Sequence, residues 1–150
     1  MSKDYLSKYA KSFKWAGFFL PKKTYQSCSI LYDFCRTMDN IADQELELII
    51  RIKQFKEFKD NFTNKNFTNQ IIKNIYKLID DFKISKKIIY DLFDGIESDL
   101  KKEVKINSKK ELLIYSYRVA GTVGLMMAKI LNVKKETSLK AAIDLGIAMQ

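Results

Sequence analysis

Apolar residues recur three and four positions apart through most of this chain, a spacing that predicts helices rather than strands. Ile30, Leu31, Phe34, Met38 and Ile41 form one such stripe, which predicts a helix over residues 21–43 with one core-facing side. The Leu20-Pro21 step sets its start: a residue before proline avoids helical dihedrals, and proline suits the first helical position. A helix over residues 3–19 is expected before it. Another follows over 44–59, with Leu46, Ile49, Ile50, Lys53 and Phe55 near its seam. The asparagine-rich stretch 61–69 reads as a loop. Two further helices, 70–82 and 86–104, are separated near Ser85, whose hydroxyl can cap the second. Ser108 can cap a long helix over 109–131, with Glu111 at N3 completing a capping box. The last segment, through Leu139, Ile143, Leu145, Ile147 and Met149, is apolar nearly all round, as in a helix buried by neighbours on every side. It reaches Gln150 without a glycine cap or a basic last turn, which predicts a truncated chain.

Composition supports the helical pattern. Pro21 is the single proline among 150 residues and there are five glycines, so breakers are scarce. With 47% apolar residues, no internal repeat and no linker, the expectation is one all-α bundle. The net charge of +9 is mostly lysine and suits nucleic acid, an anionic membrane surface or phosphorylated substrates. No ribonucleoprotein motif, zinc-finger spacing or helix-turn-helix accompanies it, so no nucleic-acid partner is expected. A solvated lysine-rich surface explains the charge equally well. Cys28 and Cys35, seven apart on one helix, are too distant to bridge and read as reduced core residues. The absence of histidine excludes zinc–histidine sites and histidine triads within this chain. The start has no apolar leader core and no run of about 18 apolar residues occurs, so a cytoplasmic protein is expected.

The sharpest chemistry lies in Cys35-Arg36-Thr37-Met38-Asp39-Asn40-Ile41-Ala42-Asp43. Asp39 and Asp43, four apart, project from one helix face about a turn apart, and Arg36 and Tyr32 continue that face. Two hard oxygen donors at that pitch can share Mg²⁺ ions that also hold diphosphate oxygens, and the arginine adds a phosphate-matching fork. An acidic pair at this spacing is also common on solvated helices; the apolar neighbours Phe34, Met38, Ile41 and Ala42 set this one against a core, where acids need a partner.

The stretch from Tyr115 to Ala128 holds Gly121 and Gly124 inside a predicted helix, at a cost of about 1 kcal/mol each relative to alanine. Close helix packing through small residues is one explanation. A kinked helix lining a hydrophobic tunnel is the other, with Val119, Ala120 and Gly121 leaving room for a prenyl chain and Tyr115 facing a developing cation.

Four segments in order resemble the squalene and phytoene synthases: Lys11-Ser12-Phe13-Lys14-Trp15-Ala16, the stretch from Cys35 to Asp43, that from Tyr115 to Ala128, and Ala-Ala-Ile-Asp-Leu-Gly-Ile-Ala-Met-Gln at the end. Asp91-Leu92-Phe93-Asp94-Gly95-Ile96-Glu97-Ser98-Asp99-Leu100 resembles the stretch before the family's tyrosine helix. The resemblance implies an isoprenoid synthase helical bundle, of which residues 1–150 are the N-terminal half. It implies Mg²⁺-dependent head-to-head joining of two prenyl diphosphates through a cyclopropyl intermediate, with Mn²⁺ able to replace Mg²⁺. Asp39 and Asp43 would bind the metal, Ser12 and Arg36 the diphosphate, and Phe13 and Tyr32 would border the cavity. Tyr115 matches the tyrosine of the cation steps, Gln150 a glutamine lining the site, and Val119, Ala120 and Gly121 the tunnel wall. Asn40 stands where the family usually carries a second acid, Lys14 replaces an aromatic residue, and Ala10 replaces a small hydroxyl residue. The family's second aspartate motif follows the position of Gln150, so the chain alone is expected to be inactive. The glycine-rich stretch is more like bacterial phytoene synthases, which favours geranylgeranyl over farnesyl diphosphate. The alternatives are a squalene or hydroxysqualene synthase and a non-catalytic helical remnant. Lipid substrates also suit peripheral contact with the inner face of a membrane.

Overall fold

The computed structural model describes residues 17, 19–101 and 105–150. Among them the chain forms helices α1 (Lys22–Ala42), α2 (Leu48–Thr63), α3 (Gln70–Phe82), α4 (Lys86–Asp99) and α5 (Lys109–Ser116). A π-helical turn (Tyr117–Gly121), α6 (Thr122–Ile130) and α7 (Glu136–Ala148) complete them, with no strand among the described residues. The expectations for residues 3–16, Ser12 and Phe13 included, lie outside the described residues.

Polar side chains start three of these helices, two of them, at Ser85 and Ser108, as the sequence predicts. Asn69 Oδ1 accepts from the N–H groups of Ile71 and Ile72 at 3.0 and 3.3 Å, satisfying two otherwise orphaned donors of α3. Asn69→Ala is expected to lower stability by about 1 kcal/mol, read by urea denaturation. Ser85 Oγ accepts from Lys87 N–H at 3.3 Å, and Ser108 Oγ from Glu111 N–H at 3.2 Å. Glu111 returns a carboxylate oxygen to the N–H of Asn107 at 2.7 Å, one residue further back than a capping box requires.

The core is aromatic. Phe34 of α1, Phe55, Phe58 and Phe62 of α2 and Phe93 of α4 are all buried, and Phe93 stands within 5.4–6.2 Å of the other four by ring centroids. The Tyr76 hydroxyl of α3 donates to the Phe62 carbonyl at 2.9 Å. The stripe Phe55, Phe58, Phe62 explains why α2 begins later than predicted and runs on to Thr63. Leu46, Ile49 and Ile50, expected at its seam, are 43%, 70% and 40% exposed, and Lys53 is exposed too. The buried side belongs to the residues that reach Phe93, not to the first apolar residues of the segment.

The predicted helix over 109–131 is one nearly continuous helical path interrupted by the π turn. The Thr122 N–H donates to the carbonyl of Tyr117, five residues back. Thr122 Oγ1 donates to the Arg118 carbonyl at 2.7 Å, which satisfies the acceptor the wider turn displaces. Beyond it the glycines serve close packing. A Cβ on Gly124 would collide with the Ala142 carbonyl oxygen of α7, and one on Gly146 would lie 2.5 Å from the Ala120 oxygen. α7 thus docks on α6 and the π turn by backbone approach. None of its residues is fully buried, and Leu145 and Met149 are 62% and 68% exposed, so the expected burial on every side is not met within this chain. Its neighbours cover only the side of Ala142, Ile143, Gly146 and Ile147.

Candidate functional site

Tyr32, Arg36 and Asp39 lie four and three residues apart on one face of α1, and all three are half-buried. Asp43 follows as the exposed C-cap residue, its N–H donating to the Asp39 carbonyl at 2.8 Å. Arg51 of α2 donates from Nη1 to the Ala42 carbonyl at 2.6 Å, which occupies one of the acceptors left open where α1 stops. Asp99 is the last residue of α4, and Tyr115 lies near the end of α5. Two helix C-termini, each the negative end of its dipole, therefore carry the acids of the site.

These groups act on one another. Burial pushes the Asp39 carboxyl up to about 6; the neighbouring Arg36 opposes this, while the charges of Asp43 and Asp99 add to it. Asp99 is raised by burial and by Asp43, with the Tyr115 hydroxyl partly offsetting the rise by hydrogen bonding to its carboxylate. Tyr115 is pushed up to about 12 by burial, by that bond to Asp99, and by the charges of Asp99, Asp39 and Asp43. It stays protonated at neutral pH. Cys35 is raised by burial and by Asp39, and Cys28 chiefly by burial, and both are free thiols held in the unreactive form.

Three carboxylates gathered at two helix C-termini, with the charges of Asp43 and Asp99 adding to the rise of Asp39, attract a cation. All the donors are hard oxygens, which fits Mg²⁺ or Mn²⁺ rather than a thiophilic metal. Among the described residues no three acidic or thiol ligands close around a single point, so these acids form an open face rather than a cage.

The fold brings Arg36, Asp39, Asp43 and Tyr115 into one neighbourhood. The remaining candidates are placed differently. Val119 packs on Gly95 of α4, and the Ala120 carbonyl abuts Gly146. Gly121 is buried against Ile143 and Tyr117. The space beside Gly121 and Gly124 is taken by α7, which accounts for the glycines by packing. Gln150 is exposed after α7, its N–H donating to the Ile147 carbonyl at 3.3 Å. Asp99 is the acid in this neighbourhood that sequence reasoning passes over. Its signal was its place in the stretch from Asp91 to Leu100, already noted for resemblance, but no spacing ties it to an acid 56 or 60 positions away.

The model of the squalene/phytoene synthase family matches residues 6–150. Phytoene synthase 1 of Zea mays, a chloroplastic protein, is 29% identical over 95% of this chain and 37% of its own length. The 4,4′-diapophytoene synthase of Staphylococcus haemolyticus is 30% identical over 82% of this chain and 44% of its own. The chain therefore spans less than half the length of these relatives. A crystal structure of a dehydrosqualene synthase in complex with ligand superposes with a TM-score of 0.74 at 28% identity, over 97% of this chain and 51% of that one. Its isoprenoid synthase helical fold is the fold found here. With the family match running from residue 6 to residue 150, this chain belongs to the squalene/phytoene synthase family.

Proposed function

We propose that this protein joins two geranylgeranyl diphosphates head to head, forming phytoene through the cyclopropyl prephytoene diphosphate. The observation that carries the proposal is that the charges of Asp39, Asp43 and Asp99 all reach the Tyr115 hydroxyl, with Arg36 beside Asp39. The 51% share of the dehydrosqualene synthase chain supports taking residues 1–150 as the N-terminal half of one synthase domain, with activity belonging to the whole domain.

In the first step the allylic C–O bond of one substrate breaks, and its electron pair leaves with diphosphate. The double bond of the second substrate attacks the cation, and a proton is lost as the cyclopropane closes. Asp39 and Asp43 would hold Mg²⁺ or Mn²⁺, whose charge offsets that of the leaving diphosphate. Arg36 offers a planar fork to phosphate oxygens, and Ser12 would add a hydroxyl. Tyr115, protonated and oriented by Asp99, presents its ring to positive charge. Phe13, Tyr32, Val119, Ala120 and Gln150 would border the chain cavity and keep water from the cation. Among the described residues no helix is long and apolar enough to cross a membrane. Peripheral contact at the inner face of a membrane suits substrates and product that are all lipids.

A fifteen-carbon substrate is the second reading, favoured by the likeness to a 4,4′-diapophytoene synthase and to a dehydrosqualene synthase. Product analysis separates the two. The protein expressed from its complete reading frame is incubated with Mg²⁺ and either geranylgeranyl or farnesyl diphosphate. Phytoene from the first is the expected result. A thirty-carbon product from farnesyl diphosphate alone would favour the second reading, and consumption of neither substrate would refute both.

A further inference from the structure

Arg51 lies in the first turn of α2 and reaches back to the end of α1, where its Nη1 donates to the Ala42 carbonyl at 2.6 Å. In a continuing helix that carbonyl would accept from the Leu46 N–H, but Leu46 donates to the Gln44 carbonyl at 2.8 Å instead. The last α-type bond of α1 runs from the Asp43 N–H to the Asp39 carbonyl, also at 2.8 Å. Asp43 itself, with φ −98° and ψ 3°, has left the helical range. The turn that carries both acids is therefore the turn on which Arg51 closes.

The setting of Arg51 points to placement more than to stability. It is half-buried, it forms no salt bridge among the described residues, and its Nε is buried with no hydrogen-bond partner. A partly buried charge that leaves one donor unsatisfied costs free energy, and an apolar side chain of similar length avoids that cost. The bond to Ala42 offsets it in part, because a charged donor at a helix C-terminus is favoured by the dipole as well as by the hydrogen bond. What the bond fixes is more specific. The last turn of a helix frays where its carbonyls lack partners, and fraying here would release Asp43 from its register with Asp39. Tied to α2, the turn keeps the backbone of the two acids in that register.

We propose that Arg51 is a positioning residue for the Asp39–Asp43 pair, presetting it for a divalent cation by tying the Ala42 carbonyl to α2. Arginine has no acceptor atom, so Arg51 is not itself a ligand. The proposal rests on the reading of these two acids as a metal-binding pair. It predicts a sign opposite to that of simple electrostatics. A guanidinium near a cation site repels the cation, so losing its charge alone would tighten binding, whereas losing the preset turn weakens it.

Mn²⁺ binding to the protein expressed from its complete reading frame, read by the fall of the free-ion signal in electron paramagnetic resonance, tests this without turnover. Asp39→Asn defines how much of the binding belongs to the pair. Arg51→Met keeps an apolar stem and is expected to weaken that part by about tenfold, with helical circular dichroism unchanged. Arg51→Lys keeps a charged donor and is expected to recover part of the affinity. If Arg51→Met does not fold, Arg51→Lys decides alone: weaker binding than wild type is expected, and equal binding would overturn the proposal. Unchanged or tighter binding in folded Arg51→Met, or binding in Arg51→Lys no better than in Arg51→Met, would also overturn it. So would a wild-type protein that binds no more Mn²⁺ than Asp39→Asn. Prenyl diphosphate consumption is measured alongside. A wild-type protein that consumes neither substrate, yet loses Mn²⁺ binding in Arg51→Met, refutes the proposed reaction and leaves Arg51 its role.

Discussion

In the complete synthase of the proposed function, Asp39→Asn is expected to lower kcat/KM for prenyl diphosphate consumption by about 10²–10³-fold while stabilising the metal-free fold above pH 6. The two effects share one cause. In the metal-free fold the partial burial of Asp39, with the charges of Asp43 and Asp99 adding to it, lifts its carboxyl from 3.8 to about 6. The folded chain therefore keeps a proton that the unfolded chain has released across that interval. The stability contributed by this group is complete below pH 3.8 and is lost as pH rises through about 6. Asparagine does not titrate, so the variant escapes the loss, but it also removes an anionic oxygen from the proposed cation-binding face. Mg²⁺ should stabilise the wild-type protein above pH 6 and do little for the variant. Urea denaturation at pH 5 and pH 7.5, each with EDTA or Mg²⁺, checks this. A variant that is less stable than wild type at pH 7.5 in EDTA would contradict it.

Gly124→Val should destabilise the fold by about 3 kcal/mol. The atom that a new Cβ meets is the Ala142 carbonyl oxygen, with the Ala142 carbonyl carbon 3.1 Å away. Both belong to the backbone of α7 and cannot rotate aside. Even Gly124→Ala, which would gain about 1 kcal/mol on an exposed helix, must push α6 and α7 apart. The midpoint of urea unfolding should fall for both variants, more for valine. A rise for alanine would mean that the two helices do not approach as closely as described.

Much of this was legible from spacing alone. The stripe containing Leu31, Phe34 and Met38 is buried as its period predicts, and the caps at Ser85 and Ser108 form because each hydroxyl precedes a helix-competent run. The acid pair is likewise a local pattern, since residues four apart on a helix must share a face. What escaped depends on contacts between distant segments. Ile49 and Ile50 look like Phe55 and Phe58 in hydropathy, but only the phenylalanines reach the Phe93 cluster. Asp99 joins Asp39 because α4 and α1 end at the same place, which no single helix's pattern records. The glycines announced that something comes close but could not say whether it was a ligand or another helix.

The turn at Tyr117–Gly121 holds one more residue than an α-helical turn, and each residue advances a helix by about 100°. It works as a phase shift between two stretches of one rod. Upstream, Tyr115 points to the end of α4; downstream, Gly121 and Gly124 face α7. In genetic terms it has the effect that inserting a single codon into an α-helix would have. Deleting one codon there would keep the reading frame and restore an unbroken helix. It would also rotate the tyrosine away from its acids or the glycines away from their partner.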